Sequence, residues 1–125
     1  MQDFKKLAVW QKSHTFTVNL YKITSNFPIE EKYGLTNQIR RASISIESNI
    51  AEGCGRNGNK ELTRFLYIAK GSPKGYRFAY ALEVECQILI ARDLGYLSKE
   101  KSDLLESKIN EIARMLTSLI AKTRN

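Results

Sequence analysis

Apolar residues recur at Val9, Phe16, Leu20 and Ile23 and reach Phe27, with Trp10, His14 and Tyr21 on an adjoining face. Steps of three and four put such residues on one side of an α-helix, so a first helix is predicted from Leu7 to Asn26. Phe27-Pro28 predicts its end, because the proline ring pushes the preceding residue out of the helical region. A second helix is expected from Gly34 to about Glu52. Leu35, Ile39, Ala42, Ile46 and Ile50 form its stripe, while Arg40, Arg41, Ser45, Ser48 and Glu52 lie elsewhere on the cylinder. Ile44 and Ala51 sit off that stripe, the pattern of a helix with neighbours on two sides, within the fold or in another subunit. The run Gly53-Cys54-Gly55-Arg56-Asn57-Gly58-Asn59 then supplies helix-stop and turn residues.

A third helix is predicted from Lys60, with Asn57 or Asn59 as its N-cap, on a stripe of Leu62, Phe65, Leu66 and Ala69. Gly71-Ser72-Pro73-Lys74-Gly75 should kink or break it, since proline lacks the amide donor and clashes with the preceding turn. Leu82, Cys86 and Leu89, with Ile88, resume a helical pattern that ends at Asp93-Leu94-Gly95-Tyr96. Ser98 is the expected N-cap of a last helix carrying Leu105, Ile109, Ile112, Leu116, Leu119 and Ile120. No β-type alternation of useful length occurs. The expected fold is all-α: one domain over residues 1–125, an antiparallel up-down-up-down four-helix bundle with its third helix interrupted between Gly71 and Gly75.

Composition narrows the class. The chain has 125 residues, 42% hydrophobic and 26% charged, which is enough for a real core and unlike a disordered segment. Charged residues interrupt every apolar run, so no membrane span is expected. Met1-Gln2-Asp3-Phe4-Lys5-Lys6 has no apolar stretch behind its lysines, so no secretory signal is expected and a cytoplasmic location is. Cys54 and Cys86 match no zinc or redox spacing and read as free thiols. The net charge of +7 is spread out: +2 over residues 1–33, +3 over 34–72, zero over 73–97 and +2 over 98–125. Such a surplus suits nucleic acid or another acidic partner, and it equally suits solvated helix faces.

Candidate chemistry is sparse. His14 is the single histidine and falls beside Trp10 and Tyr21, so it reads as a packed imidazole; a zinc site would have to recruit carboxylates. Cys54 sits at a helix C-terminus, where the macrodipole disfavours a thiolate. Glu83 and Glu85 are two positions apart and face different sides of a helix. No catalytic site, metal, cofactor or small-molecule substrate is expected. Gly53 and Gly58 have the separation of a phosphate loop, but Asn59-Lys60 stands where Lys-Ser/Thr is required and no strand precedes. A capping turn is the favoured reading. The weaker one is a set of exposed amides, flanked by Arg56, Lys60 and Arg64, that receives an RNA phosphate. Arg40 and Arg41 suit phosphates too, but Glu47, Glu52 or a neighbouring subunit would satisfy them equally. Lys74-Gly75-Tyr76-Arg77-Phe78-Ala79-Tyr80 mixes basic and aromatic residues, either as an RNA-binding stretch or as a patch between subunits.

Several motifs together carry a family resemblance. They are Leu7-Ala8-Val9-Trp10-Gln11-Lys12, Phe27-Pro28, Tyr33-Gly34-Leu35 and Gln38-Ile39-Arg40-Arg41-Ala42, then Ser48-Asn49-Ile50-Ala51-Glu52-Gly53-Cys54-Gly55-Arg56. Phe65-Leu66-Tyr67-Ile68-Ala69-Lys70-Gly71-Ser72 and Leu94-Gly95-Tyr96-Leu97 continue them. Over nearly its whole length the chain resembles the bacterial four-helix bundle proteins known as 23S rRNA intervening-sequence proteins, or the S23 family. It is also similar to the accessory bundle protein of diversity-generating retroelements. The resemblance implies a ring of bundles, typically a homopentamer, and the engagement of structured RNA or a nucleic-acid-processing protein. Residues 73–80 look like eight additional residues relative to the family pattern. Eight residues turn a helix about 80° beyond two full turns, so a bulge, a loop or a split third helix must absorb them.

The expected function is a non-enzymatic oligomeric RNA- or nucleoprotein-binding bundle, with Arg40, Arg41, Arg56, Lys60, Arg64 and Lys70 as phosphate contacts. The alternative is a self-assembling interaction scaffold, in which Arg40 and Arg41 pair with carboxylates.

Overall fold

The computed structural model describes residues 3–71 and 79–124, and every regular element among them is helical. Five α-helices follow one another: α1 (Ala8–Thr24), α2 (Leu35–Cys54), α3 (Asn59–Lys70), α4 (Tyr80–Asp93) and α5 (Lys99–Thr123). Single 3-10 turns at Phe4–Lys6 and Ile29–Glu31 precede α1 and α2. Among the described residues there are thus five α-helices, where four, the third interrupted, were expected. Where one interrupted helix was expected, α3 stops at Lys70 and α4 begins at Tyr80. Gly71 ends α3 with a φ of 115°, outside the range of a right-handed helix. The bulge or loop expected around Pro73 lies outside the described residues.

The one-sided stripes bury as their spacing requires. Val9, Phe16 and Leu20 of α1, Ile39, Ala42, Ile46 and Ile50 of α2, and Leu62, Leu66 and Ala69 of α3 meet in one core. Leu105, Ile109, Ile112, Leu116 and Ile120 of α5 join them. Buried hydroxyls on α1 bond back to their own helix: Ser13 donates to the Val9 carbonyl at 2.8 Å and Thr24 to that of Leu20 at 2.7 Å. Thr17 and Ser43, 2.7 Å apart and buried, link α1 to α2. Helices α2 and α3 approach closely at Gly53, where an added Cβ atom would lie 2.9 Å from the Phe65 Cβ, too near for any residue but glycine without a shift.

Helix α4 departs from expectation. Ile88 is buried as expected, but Leu82 and Cys86 are exposed and Leu89 is half-buried; Ala81, Val84, Gln87 and Ala91 face inward with Ile88 instead. Apolar residues occupy nearly every side of this helix, so spacing alone did not select a face. Turning the small Ala81 and Ala91 inward lets α4 sit close against α2 and α5, which it contacts.

The connections are set by specific side chains. Ser98 caps α5 as expected, its hydroxyl accepting from the Lys101 amide at 3.1 Å. Gly95, at φ 80°, closes α4, with the Tyr96 amide donating to the Ala91 carbonyl at 2.9 Å. Glu31 ties two connections together: one carboxylate oxygen accepts from the Leu35 amide at 3.1 Å, the other from the Tyr96 hydroxyl at 2.9 Å. That hydrogen bond raises the Tyr96 phenol above its ordinary value, and burial and the negative charges of Glu31 and Glu30 add to the effect. A raised folded-state value favours the protonated phenol. Its contribution to stability is complete below about pH 10 and is lost as pH rises through the folded-state value. Ultraviolet absorbance titration should show Tyr96 ionising nearer pH 10 in Glu31→Gln than in the unmodified protein. An unchanged curve would mean that the carboxylate does not hold the phenol.

Candidate nucleic-acid interface

The turn between α2 and α3 gathers three of the expected phosphate contacts. Past Cys54, the Gly55 amide bonds back to the Ala51 and Glu52 carbonyls, and Gly58, at φ 87°, swings the chain into α3. Gly58 is the N-cap, and no side chain caps α3. The expected cap at Asn57 or Asn59 is thereby corrected: Asn59 is already the first helical residue, and the left-handed backbone at Gly58 makes the turn. The N-cap therefore supplies no side-chain oxygen to the first-turn amides of α3, which lie at the positive end of its macrodipole.

Two guanidinium groups share one aromatic ring in the second turn of α3. Arg56 lies 5.3 Å and Arg64 4.5 Å from the centre of the Phe65 ring. Arg56 donates to Glu52 at 2.6 Å, and Arg64 to Glu61 at 3.0 Å. Lys60 is exposed one helical turn before Arg64, on the same face. The local field is positive. The hydrogen bond from Arg64 holds the Glu61 carboxyl below its ordinary value; burial opposes it, and the charges of Arg64, Arg56 and Lys60 act with it.

A cleft of about 510 Å³ continues this surface between the start of α3 and the end of α5. Lys60, Arg64, Tyr67 and Arg124 line it. The Thr63 and Thr123 hydroxyls, 2.8 Å apart, hold its walls together. Arg124 and Tyr67 were not among the residues expected from the sequence. Arg124 reaches the site because the end of α5 packs against the start of α3, as the Thr63–Thr123 contact shows.

The other three expected contacts lie elsewhere. Arg40 is committed to the end of α1: it donates to the Thr24 hydroxyl at 2.8 Å and the Tyr21 carbonyl at 3.0 Å, and stacks 4.4 Å above the Tyr21 ring. Arg41 is exposed and forms no ion pair among the described residues. Glu47 bonds His14 and Glu52 bonds Arg56, so neither carboxylate offered by the sequence holds Arg40 or Arg41. Lys70 borders a separate hollow of about 150 Å³ with Gly71, Leu82 and Glu85. About 21 Å of α2 separates Arg40 from the turn cluster.

His14 is exposed, where a packed imidazole was expected, but it is hydrogen-bonded as expected, with Nδ1 2.8 Å from Glu47 and the ring stacked on Trp10 at 4.9 Å. Both cysteines are free, Cys54 buried and Cys86 exposed, and burial pushes the Cys54 thiol up. Among the described residues, no group of three His, Cys, Asp or Glu side chains is placed to hold a metal, and no helix is long and apolar enough to cross a membrane.

A family model described as 23S rRNA-intervening sequence protein matches residues 5–118. The fold is similar to a crystal structure from Bacteroides thetaiotaomicron, of a protein with unknown function from the S23 ribosomal protein family. That match has a TM-score of 0.75 and 27% identity, covering 90% of this chain and 98% of the other. No curated protein matches the chain.

Proposed function

The chain belongs to the 23S rRNA-intervening sequence protein family, and on that premise we propose a cytoplasmic, non-enzymatic, self-assembling helical protein that binds structured RNA or a nucleoprotein through phosphate contacts. The observation that carries this reading is the pair of guanidinium groups on Phe65, in the second turn of a helix whose N-cap, Gly58, has no side chain. Arg56, Lys60 and Arg64 are its core, and Arg124 extends it along the α3–α5 cleft. The ion pairs of Arg56 and Arg64 are half-exposed. Such pairs contribute about 0–1 kcal/mol, so a phosphate displaces them at little cost.

The contacts support an antiparallel arrangement of four columns. Helices α2 and α5 each touch both α3 and α4, while α1 touches α2 and α5. In this arrangement α3 and α4, end to end, form the third column of an up-down-up-down bundle.

Exposed apolar faces support self-assembly, with the ring of five that the family resemblance implies. Leu82, Cys86, Ile90 and Leu94 follow one another at four-residue steps on the outside of α4, and Val18, Tyr21 and Ile44 form a second exposed face on α1 and α2. Light scattering should give a multiple of the monomer mass. Leu82→Glu with Ile90→Glu should reduce it to the monomer with helicity retained, and a monomeric unmodified protein would contradict assembly. The commitment of Arg40 to α1, together with these apolar faces, favours the scaffold alternative in one respect. A scaffold assembles in the same way but shows no salt-sensitive RNA association.

A further inference from the structure

The seam between α1 and α5 has an unfilled side. These helices make sparser contact than α1 with α2 or α4 with α5, and an open groove of about 670 Å³ runs along them. Ala8, Phe16 and Ile23 of α1 and Leu104, Leu105 and Ile112 of α5 supply its apolar lining. On each helix these positions recur about every two turns, the spacing at which a further helix presents successive knobs. From Ala8 to Ile23 the groove is about 22 Å long, the length of a four-turn helix. Leu104 is 53% exposed at its edge, more than a settled core residue shows.

The rim is basic. Lys12, Lys22 and Lys108 border the groove, and the sole carboxylate, Glu111, is bound to Lys12 at 3.4 Å. Lys22 and Lys108 form no ion pair among the described residues. An RNA backbone would satisfy the lysines but leave the apolar lining wet. The outer stripe of α4 from a second copy is a poor match as well. Glu85 is half-buried and Asp93 is paired with Arg92, so among the described residues that stripe brings Glu83 as its one exposed carboxylate outside an ion pair, against two such lysines on the rim.

We propose that the α1–α5 groove docks an acidic amphipathic helix of a partner protein. Its apolar face seats on Ala8, Ile23 and Leu104, above the buried Phe16 and Ile112, and its carboxylates meet Lys22 and Lys108. The site is separate from the basic turn between α2 and α3, so it leaves nucleic acid and a protein partner free to bind together.

The test uses the full chain and a fluorescent, end-blocked helical peptide of about four turns, with leucines at heptad spacing flanked by glutamates. A matched peptide carries lysines in place of the glutamates. Anisotropy should show saturable binding of the acidic peptide only. Lys22→Glu with Lys108→Glu should weaken it at least about tenfold, the loss of roughly 1.4 kcal/mol. Lys22→Arg with Lys108→Arg should bind as the unmodified protein does, and assembly mass should be unchanged in both variants. Circular dichroism confirms that each variant is folded. No binding of the acidic peptide, equal binding of the lysine peptide, or indifference to charge reversal would overturn the proposal. A fall in assembly mass on charge reversal would also overturn it, by making the groove a contact between copies.

Discussion

Reversing three charges at one turn, with Arg56→Glu, Lys60→Glu and Arg64→Glu together, should lower affinity for 23S rRNA fragments about a hundredfold at fixed salt. Each side chain is exposed or half-exposed and none belongs to the buried core, so the fold should tolerate the change. The substitutions set like charges near Glu52 and Glu61, an expense of a few tenths of a kcal/mol per pair. Against that stands the loss of three charge-assisted contacts. At about 1 kcal/mol each, they amount to roughly two decades in affinity. Fluorescence anisotropy with labelled fragments measures the loss, and Lys99→Glu is the control because it changes charge at the start of α5, away from the turn. A loss in log affinity for Lys99→Glu about one third that of the triple variant, in proportion to the charge changed, would mean that overall charge, and not this site, governs binding.

The second large effect concerns the core. Leu66→Ala should destabilise the protein by about 2–5 kcal/mol, because Leu66 is fully buried and its removal leaves a cavity as well as forfeiting transfer energy. Ile29→Ala, at a residue 76% exposed, should change stability by less than about 0.5 kcal/mol. Denaturant melts of the two variants side by side give the comparison. Near-equal midpoints would contradict the placement of Leu66.

Some of this structure was legible in the chain and some was not, for identifiable reasons. Helices α1, α2 and α5 could be read because each has one dominant apolar stripe, which spacing alone locates. Ser98 could be read as a cap because a serine before a helical pattern has a local partner, the Lys101 amide. The face of α4 could not, since Leu82 and Leu89 compete with Val84 and Ile88, and only the close approach of neighbouring helices selects the smaller side. The caps proposed at Asn57 and Asn59 failed because Gly58, a residue with no side chain to offer, occupies the decisive position.

The site divides in the same way. Arg56, Lys60 and Arg64 lie within nine positions of sequence, so one turn and one helix face suffice to bring them together. Arg40 depends on where α1 ends, because its partners are the Thr24 hydroxyl and the Tyr21 carbonyl. Arg124 joins the cluster only through the packing of α5 against α3, and Lys22 and Lys108 share a groove only through the α1–α5 seam.

The central claim is that α3's uncapped start and its flanking arginines bind nucleic-acid phosphates. The most direct measurement is the affinity for 23S rRNA fragments across a salt series, for the unmodified protein and the triple charge reversal. Phosphate-dominated binding falls linearly as log affinity against log salt, and each lost contact lowers the slope by about one. The account predicts steep salt dependence in the unmodified protein and a slope shallower by about three in the variant. Absence of association at low ionic strength, or identical slopes in the two proteins, would contradict it.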